Sequence, residues 1–111
     1  MQPRKHVPTR ADFGHALRQL RALRGLTQED MLMATSRRHM SRVEQGHQIP
    51  SVRVIEALAE SLQIHPLTLI AAAYCVNLDE ASIKLITDTV QLDLQRMVQD
   101  HIENGSVSEF S

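Results

Sequence analysis

Residues 26–46, LTQEDMLMATSRRHMSRVEQG, decide the fold of this chain. Thr27 is followed three residues later by Asp30, the spacing of a capping box, in which two side chains satisfy unpaired amides at the start of a helix. In the short helix that follows, we expect Met31 and Ala34 to point inward, because they are three residues apart and share a helix face.

A second short helix is predicted to begin at Ser36 and to end at Gly46. Met40 and Val43 have helical spacing and form its buried face, and its other positions carry arginine, serine and histidine. Two short helices joined by a tight turn form a helix-turn-helix. In that motif the first helix braces against the DNA backbone, and the second presents its first turn to the edges of the bases.

The residues before this stretch predict another helix, which Thr9 caps and Gly25 ends. Five of its apolar residues fall on one face at helical spacing and should point into the core: Phe13, Ala16, Leu17, Leu20 and Leu23.

Three more helices are predicted after Gly46. The fourth helix starts at Pro50 and Ser51, with Val54 or Ile55, Leu58, Ala59 and Leu62 inward. Pro66 suits the first position of the fifth, which runs to about Tyr74. Asn77 or Asp79 opens the sixth and longest, and Gly105 closes it.

The central stretch resembles that of the Cro/lambda-repressor-like regulators, also called the xenobiotic-response-element family. The resemblance covers roughly residues 10–74 and rests on Leu23, Gly25, Leu26, Thr27, Gln28, Glu29, Ser36, Arg37, Ser41, Arg42, Val43, Glu44, Gly46 and Pro50, then on Ala57 to Leu62 and His65 to Leu67. It implies an all-α chain: a five-helix lambda-repressor-like DNA-binding domain with a long C-terminal helix added.

This sequence departs from the family's pattern at one place. The usual turn has two more residues and contains a small residue followed by Gly and Val, whereas Met33-Ala34-Thr35 stands here without a glycine. The turn must therefore be tighter or differently shaped, and the helix before it can be shorter. The resulting division is a flexible basic arm over residues 1–8, the DNA-binding domain over 9–76, the C-terminal helix over 77–105 and a frayed tail over 106–111.

Charge is segregated along the chain, although the net charge is only −1. Residues 1–53 carry a balance of +6, and residues 54–111 carry −7. Such segregation favours one face for a polyanion and another turned away from it. Arg4, Lys5 and Arg10 form either an arm that contacts DNA or a disordered basic tail.

The resemblance assigns roles to individual polar residues. The expected base contacts are Arg37, Arg38, Ser41 and Arg42, since the planar fork of arginine can bond guanine O6 and N7 together. The expected contacts to the DNA backbone are Gln28, Ser36, His39, His47, Gln48, Ser51 and Arg53. The family also pairs an arginine with a glutamate at the positions of Arg21 and Glu44, which implies a structural ion pair that pins the second helix of the motif to the first helix of the chain.

The C-terminal helix is apolar on two sides. One stripe consists of Ile83, Ile86, Val90, Leu94 and Met97, and Leu78, Ala81, Leu85 and Leu92 lie on nearly the opposite face. A helix of this kind must be covered on both sides. We expect its own domain to cover one side and a second copy to cover the other, and we expect the first stripe to form the dimer interface.

Other classes of function find little support in the residues. We expect no cofactor, no metal and no enzymatic activity, because the six histidines and the lone Cys75 lack ligand spacing and no nucleophile or phosphate-loop motif occurs. A single cysteine and the absence of a signal-like segment favour a cytoplasmic protein, without a membrane partner. The prediction is a homodimeric repressor on double-stranded DNA. The alternative is an antitoxin-type or interaction module that holds a partner protein and binds DNA for autoregulation.

Overall fold

The computed structural model describes residues 6–105, which form five α-helices, one 3-10 turn and no strand. The helices are α1 (Phe13–Arg24), α2 (Arg37–Glu44), α3 (Val52–Leu62), α4 (Pro66–Ala73) and α5 (Glu80–Glu103), and the 3-10 turn is Glu29–Met31. The predicted all-α class is confirmed. Most of the predicted basic arm, residues 1–5, and the predicted tail, 106–111, lie outside the described residues.

Helix starts follow the capping residues of the sequence at three places. The hydroxyls of Ser36 and Ser51 accept backbone N–H bonds at the starts of α2 and α3, and the Asp79 carboxylate does so at the start of α5. The predicted cap of α1 is wrong. Asp12, not Thr9, caps this helix by accepting the His15 N–H at 3.0 Å, because its carboxylate lies three residues before that amide.

The second predicted helix is reduced to the single 3-10 turn. Thr27 and Asp30 do form the capping box, with the Thr27 N–H donating to the Asp30 carboxylate at 2.7 Å and the Asp30 N–H donating to the Thr27 hydroxyl at 3.3 Å. The next backbone bonds, however, span three residues, as from the Met31 N–H to the Gln28 carbonyl at 3.0 Å. With two residues fewer than the usual pattern and Met31 fully buried, the segment has room for one tight turn only.

The core lies where α1, α2, α3 and α4 meet. Its fully buried side chains are Leu17, Met31, Met40, Val43, Leu58, Leu62 and Leu69. The prediction that Leu23 points into the core is wrong, because this residue is 74% exposed. Ala16, earlier in the same helix, is covered by Ala72 and Ala73 at the end of α4.

The two halves of α5 have different surroundings. The first half packs against α4, and Ile86 is 8% exposed there. Every residue from 91 to 100 is exposed. Its own chain therefore covers most of Ile86, and the predicted place of this residue in a dimer interface stays a prediction.

Candidate nucleic-acid interface

Helix α2 presents one apolar and one basic face. Met40 and Val43 are buried, and Arg37, Arg38 and Arg42 are exposed. This division follows from the 3.6-residue period, which puts residues three or four apart on the same side. The buried face holds the helix on the domain, and the arginine side chains lie on the solvent-exposed face.

The C-terminal end of α2 is held by a bidentate ion pair. Arg21 of α1 donates from Nε to Glu44 Oε2 at 2.6 Å and from Nη2 to Oε1 at 2.8 Å. Gln28 Nε2 donates to the same Oε1 at 2.9 Å. Burial by itself would raise the pKa of Glu44, which is 4% exposed, but the hydrogen bonds from Arg21 and Gln28 outweigh it and lower that pKa below its ordinary value. The carboxylate is thus kept charged.

Backbone contacts hold the same end of α2. Arg18 Nη1 donates a hydrogen bond to the Glu44 carbonyl. A Cβ on Gly14 would lie only 2.6 Å from that carbonyl oxygen and 2.7 Å from the carbonyl oxygen of Val43, so α1 and α2 approach too closely there for any larger residue. Sequence reasoning missed Arg18 and Gly14, although a glycine inside an amphipathic helix is a recognised sign of close packing.

Six of the predicted DNA contacts line one depression of about 550 Å³ beside α2: Ser36, Arg38, His39, Arg42, His47 and Gln48. Arg42 Nε donates to Gln48 Oε1 at 3.3 Å, which ties the helix to the loop after it. His39 Nε2 is buried and has no hydrogen-bond partner within residues 6–105. A phosphate oxygen or a water molecule would satisfy this atom.

The other predicted contacts lie outside the depression. Arg37 Nη2 donates to Glu29 Oε1 at 2.8 Å, in a pair whose side chains are both more than 60% exposed. Ser41 Oγ accepts a hydrogen bond from Gln45 Nε2 at 3.2 Å. Ser51 and Arg53 are exposed at the start of α3. Gln28 is occupied by Glu44, and its contact to the DNA backbone stays a prediction.

The described residues contain no cluster of three or more His, Cys, Asp or Glu side chains that could hold a metal ion. Burial, and to a lesser degree the nearby Asp79, raise the pKa of the Cys75 thiol, which keeps it in its less reactive protonated form. None of the described helices combines the length and the apolar character that a membrane span requires.

Comparison with known proteins agrees with this geometry. Residues 12–73 match the model of a family described as "Helix-turn-helix domain", and the chain belongs to this family. Its similarity to the Cro/lambda-repressor-like regulators is confirmed, and with it the DNA-binding class of transcriptional regulators. No curated protein matches the chain.

Two solved structures are similar to the chain. The restriction-modification controller protein C.AhdI from Aeromonas hydrophila is 36% identical over 53% of this chain and 92% of its own, with a TM-score of 0.49. The clp gene regulator ClgR from Corynebacterium glutamicum is 24% identical over 80% of this chain and 88% of its own, with a TM-score of 0.53. The likeness to ClgR shows a shared fold.

Proposed function

We propose that the protein is a sequence-specific regulator of transcription that binds an inverted-repeat duplex site as a homodimer, with α2 in the major groove. The depression beside α2 is the observation that carries this proposal. Its six lining side chains are basic, amide or hydroxyl groups, and none is acidic. Groups of these types bind phosphates and the edges of bases.

Arg38 and Arg42 would make the main hydrogen bonds to the edges of the bases. Both are exposed on α2 and line the depression, and each guanidinium can bond a guanine at O6 and N7. Arg42 is hydrogen-bonded to Gln48 within the depression. Arg37 and Ser41 lie on the same helix and are hydrogen-bonded to Glu29 and Gln45. Since an exposed ion pair of this kind contributes little free energy, Arg37 can exchange Glu29 for a base.

Contacts to the DNA backbone would lie around Arg38 and Arg42. Ser36, His39, His47 and Gln48 line the depression, while Ser51 and Arg53 extend the polar surface along the start of α3. The acidic half of the chain would face away from the phosphates. Such a dimer would hold its two α2 helices about 34 Å apart, one turn of the duplex. Occupying a site in a promoter excludes polymerase without any further contact, and we therefore propose repression.

Selection of bound sequences from a random duplex pool tests the proposal. We expect an inverted repeat to emerge. Arg38→Ala or Arg42→Ala should cost about 1–3 kcal/mol on that site and relax preference at one position, whereas Arg53→Ala should weaken binding evenly across sequences. Arg24→Ala at the end of α1 is the matched control, since Arg24 lies outside the depression, and it should leave binding unchanged. If the Arg37, Arg38, Arg42 triple alanine variant kept its site preference, the role of α2 would be wrong.

A further inference from the structure

The guanidinium of Arg42 is held by a neighbour inside the depression beside α2. Its Nε donates to the side-chain oxygen Oε1 of Gln48 at 3.3 Å. A guanidinium has only donors, so the amide oxygen of Gln48 faces Arg42 and the amide nitrogen points elsewhere. Arg38 lines the same depression, but its side chain has no hydrogen-bond partner within residues 6–105. The two arginines therefore differ in how firmly their side chains are oriented.

The loop that carries Gln48 is fixed to the end of α2 on both sides of this residue. Before it, Gly46 adopts a φ of 80°, and the N–H of His47 donates to the backbone carbonyl of Arg42 itself at 2.9 Å. This combination closes a helix at a left-handed glycine and turns the chain back over its last turn. After it, Pro50 is buried. The amide of Gln48 therefore extends from a backbone that is fixed relative to Arg42.

The bond at Nε leaves the outer end of the Arg42 guanidinium open. Its terminal nitrogens, Nη1 and Nη2, donate to no other group in the described part of the chain. They lie in one plane with Nε, because the guanidinium is planar. An N–H from each of them can bond guanine O6 and N7 together. A partner at Nε thus restricts the rotation of this plane and leaves its base-reading end unoccupied.

We propose that Gln48 is a positioning residue for Arg42: it orients the guanidinium toward a guanine and so sets the preferred base at one position of each half-site. This inference rests on the proposed function, in which α2 lies in the major groove. It adds a residue that determines specificity without touching a base. Because only the amide oxygen is used, the amide NH2 of Gln48 can still donate to a phosphate oxygen.

Two substitutions of Gln48 separate positioning from a contact to phosphate alone. Gln48→Ala removes both the amide oxygen and the amide NH2, whereas Gln48→Glu keeps an acceptor for the Arg42 Nε and removes only the donor. Site selection with Arg42→Ala identifies the base pair that Arg42 reads. The affinity of each full-length variant is then measured by competition between duplexes that differ only at this base pair.

The two substitutions should have different effects on base preference. Gln48→Ala should lower the preference for guanine by about two- to ten-fold, because the cost of ordering a freed Arg42 falls only on the duplex that it contacts. Gln48→Glu should keep this preference, since its carboxylate still accepts the bond from Nε. It should bind all the duplexes more weakly, because a negative charge is added beside the phosphates.

Two controls show whether the effect is confined to Arg42. His47→Ala is the matched control, since His47 lines the same depression but its side chain is not bonded to Arg42. It should weaken binding evenly and leave the preference for guanine unchanged. In Gln48→Ala itself, the preference at the base pair read by Arg38 should also be unchanged. Gln48 is exposed, so the variants should fold, and circular dichroism checks this.

Combining the substitutions tests whether Gln48 acts through Arg42. In an Arg42→Ala background, Gln48→Ala should cause no further loss of preference at that base pair, because no guanidinium remains to be oriented. An equal loss in both backgrounds, an unchanged preference in Gln48→Ala, or a loss in Gln48→Glu as large as in Gln48→Ala would overturn the positioning role and leave the proposed function standing. If Arg42→Ala altered no base preference, the base contact of the proposed function would fail, and the positioning role with it.

Discussion

The helical body of residues 12–73 and the second half of α5 differ in how far their apolar side chains are buried. Every helix of the body has a buried face, as Leu17, Met40, Leu58 and Leu69 show for α1 to α4. In α5, ten consecutive residues, 91–100, are all exposed, although large apolar side chains are among them. The difference shows that the body is held together by contacts within one chain, whereas the second half of α5 has apolar surface that the rest of the described residues do not cover.

The Arg21–Glu44 ion pair anchors α2 to α1. Breaking this anchor should cause the largest loss of unfolding free energy in the body. Arg21→Ala leaves the buried Glu44 carboxylate without its charged partner, which costs roughly 3–5 kcal/mol of unfolding free energy. Arg37→Ala is the matched control, because its pair with Glu29 is exposed and contributes about 0–1 kcal/mol. Urea denaturation of both variants gives the two values. Equal losses would mean that Arg21 does not anchor α2.

The close approach of α1 and α2 provides a second test. An alanine normally stabilises the interior of a helix relative to glycine by about 1 kcal/mol. At residue 14 we expect the reverse, a loss of about 1–3 kcal/mol, because the added Cβ would meet the Glu44 and Val43 carbonyls and push the helices apart. Thermal unfolding of Gly14→Ala checks this. The variant should also bind DNA more weakly, since α2 would be displaced, and a stabilised variant would contradict the observed packing.

The anchor should also make the body sensitive to acid. The pKa of Glu44 is lower in the folded chain than its ordinary value of 4.5, so the unfolded chain takes up a proton first as the pH falls. The stability that the carboxylate contributes is present above that ordinary value and is lost as the pH falls through the folded pKa. Glu44→Gln removes this titration, and its unfolding free energy should fall less than that of the original chain between about pH 5 and pH 3.

Glu29→Gln is the control for this pH dependence, since Glu29 also pairs with an arginine but is exposed. It should keep the acid dependence of the original chain. Parallel curves for Glu44→Gln and the original chain would place the acid sensitivity in other carboxylates.

Sequence reasoning succeeded where one residue decides a local structure. Ser36 and Ser51 cap their helices as predicted, and of the two residues offered for α5, Asn77 and Asp79, it is Asp79 that does so, because a cap depends on a side chain and an amide only three residues away. The predicted cap of α1 was nevertheless wrong, since Asp12 and not Thr9 caps that helix. It failed where distant packing decides. The 3-10 turn at Glu29–Met31 depends on the burial of Met31 in a shortened segment, and the exposure of Leu23 depends on how much of α1 the other helices cover. Neither can be derived from periodicity alone.

The candidate DNA interface was predictable to a similar extent. The motif identifies the exposed arginines of α2, but it does not reveal that Arg37 is engaged by Glu29 while Arg38 and Arg42 line a common depression. Glu29, the partner of Arg37, belongs to the 3-10 turn, and Gln48, the partner of Arg42, belongs to the loop after α2. The shapes of these two segments depend on the shortened turn and on tertiary contacts. The partner of each arginine is therefore evident only from the three-dimensional structure.

The smallest expected effect lies in α5 and concerns the stability of the dimer. If a second copy covers this helix, the melting temperature of the original chain must depend on protein concentration, because dissociation accompanies unfolding. A hundred-fold rise in concentration favours the dimer by about 2.7 kcal/mol, or about 1.4 kcal/mol per chain, which corresponds to roughly 5 °C for a chain of this size.

Met97→Glu should abolish this dependence of the melting temperature on concentration. At high dilution it should melt with the original chain, since Met97 is 68% exposed and packs little against the body. Calorimetry over this concentration range measures both quantities. A melting temperature of the original chain that does not change with concentration would show that α5 remains uncovered by a second copy. If Met97→Glu melted below the original chain even at the highest dilution, this half of α5 would support the body after all.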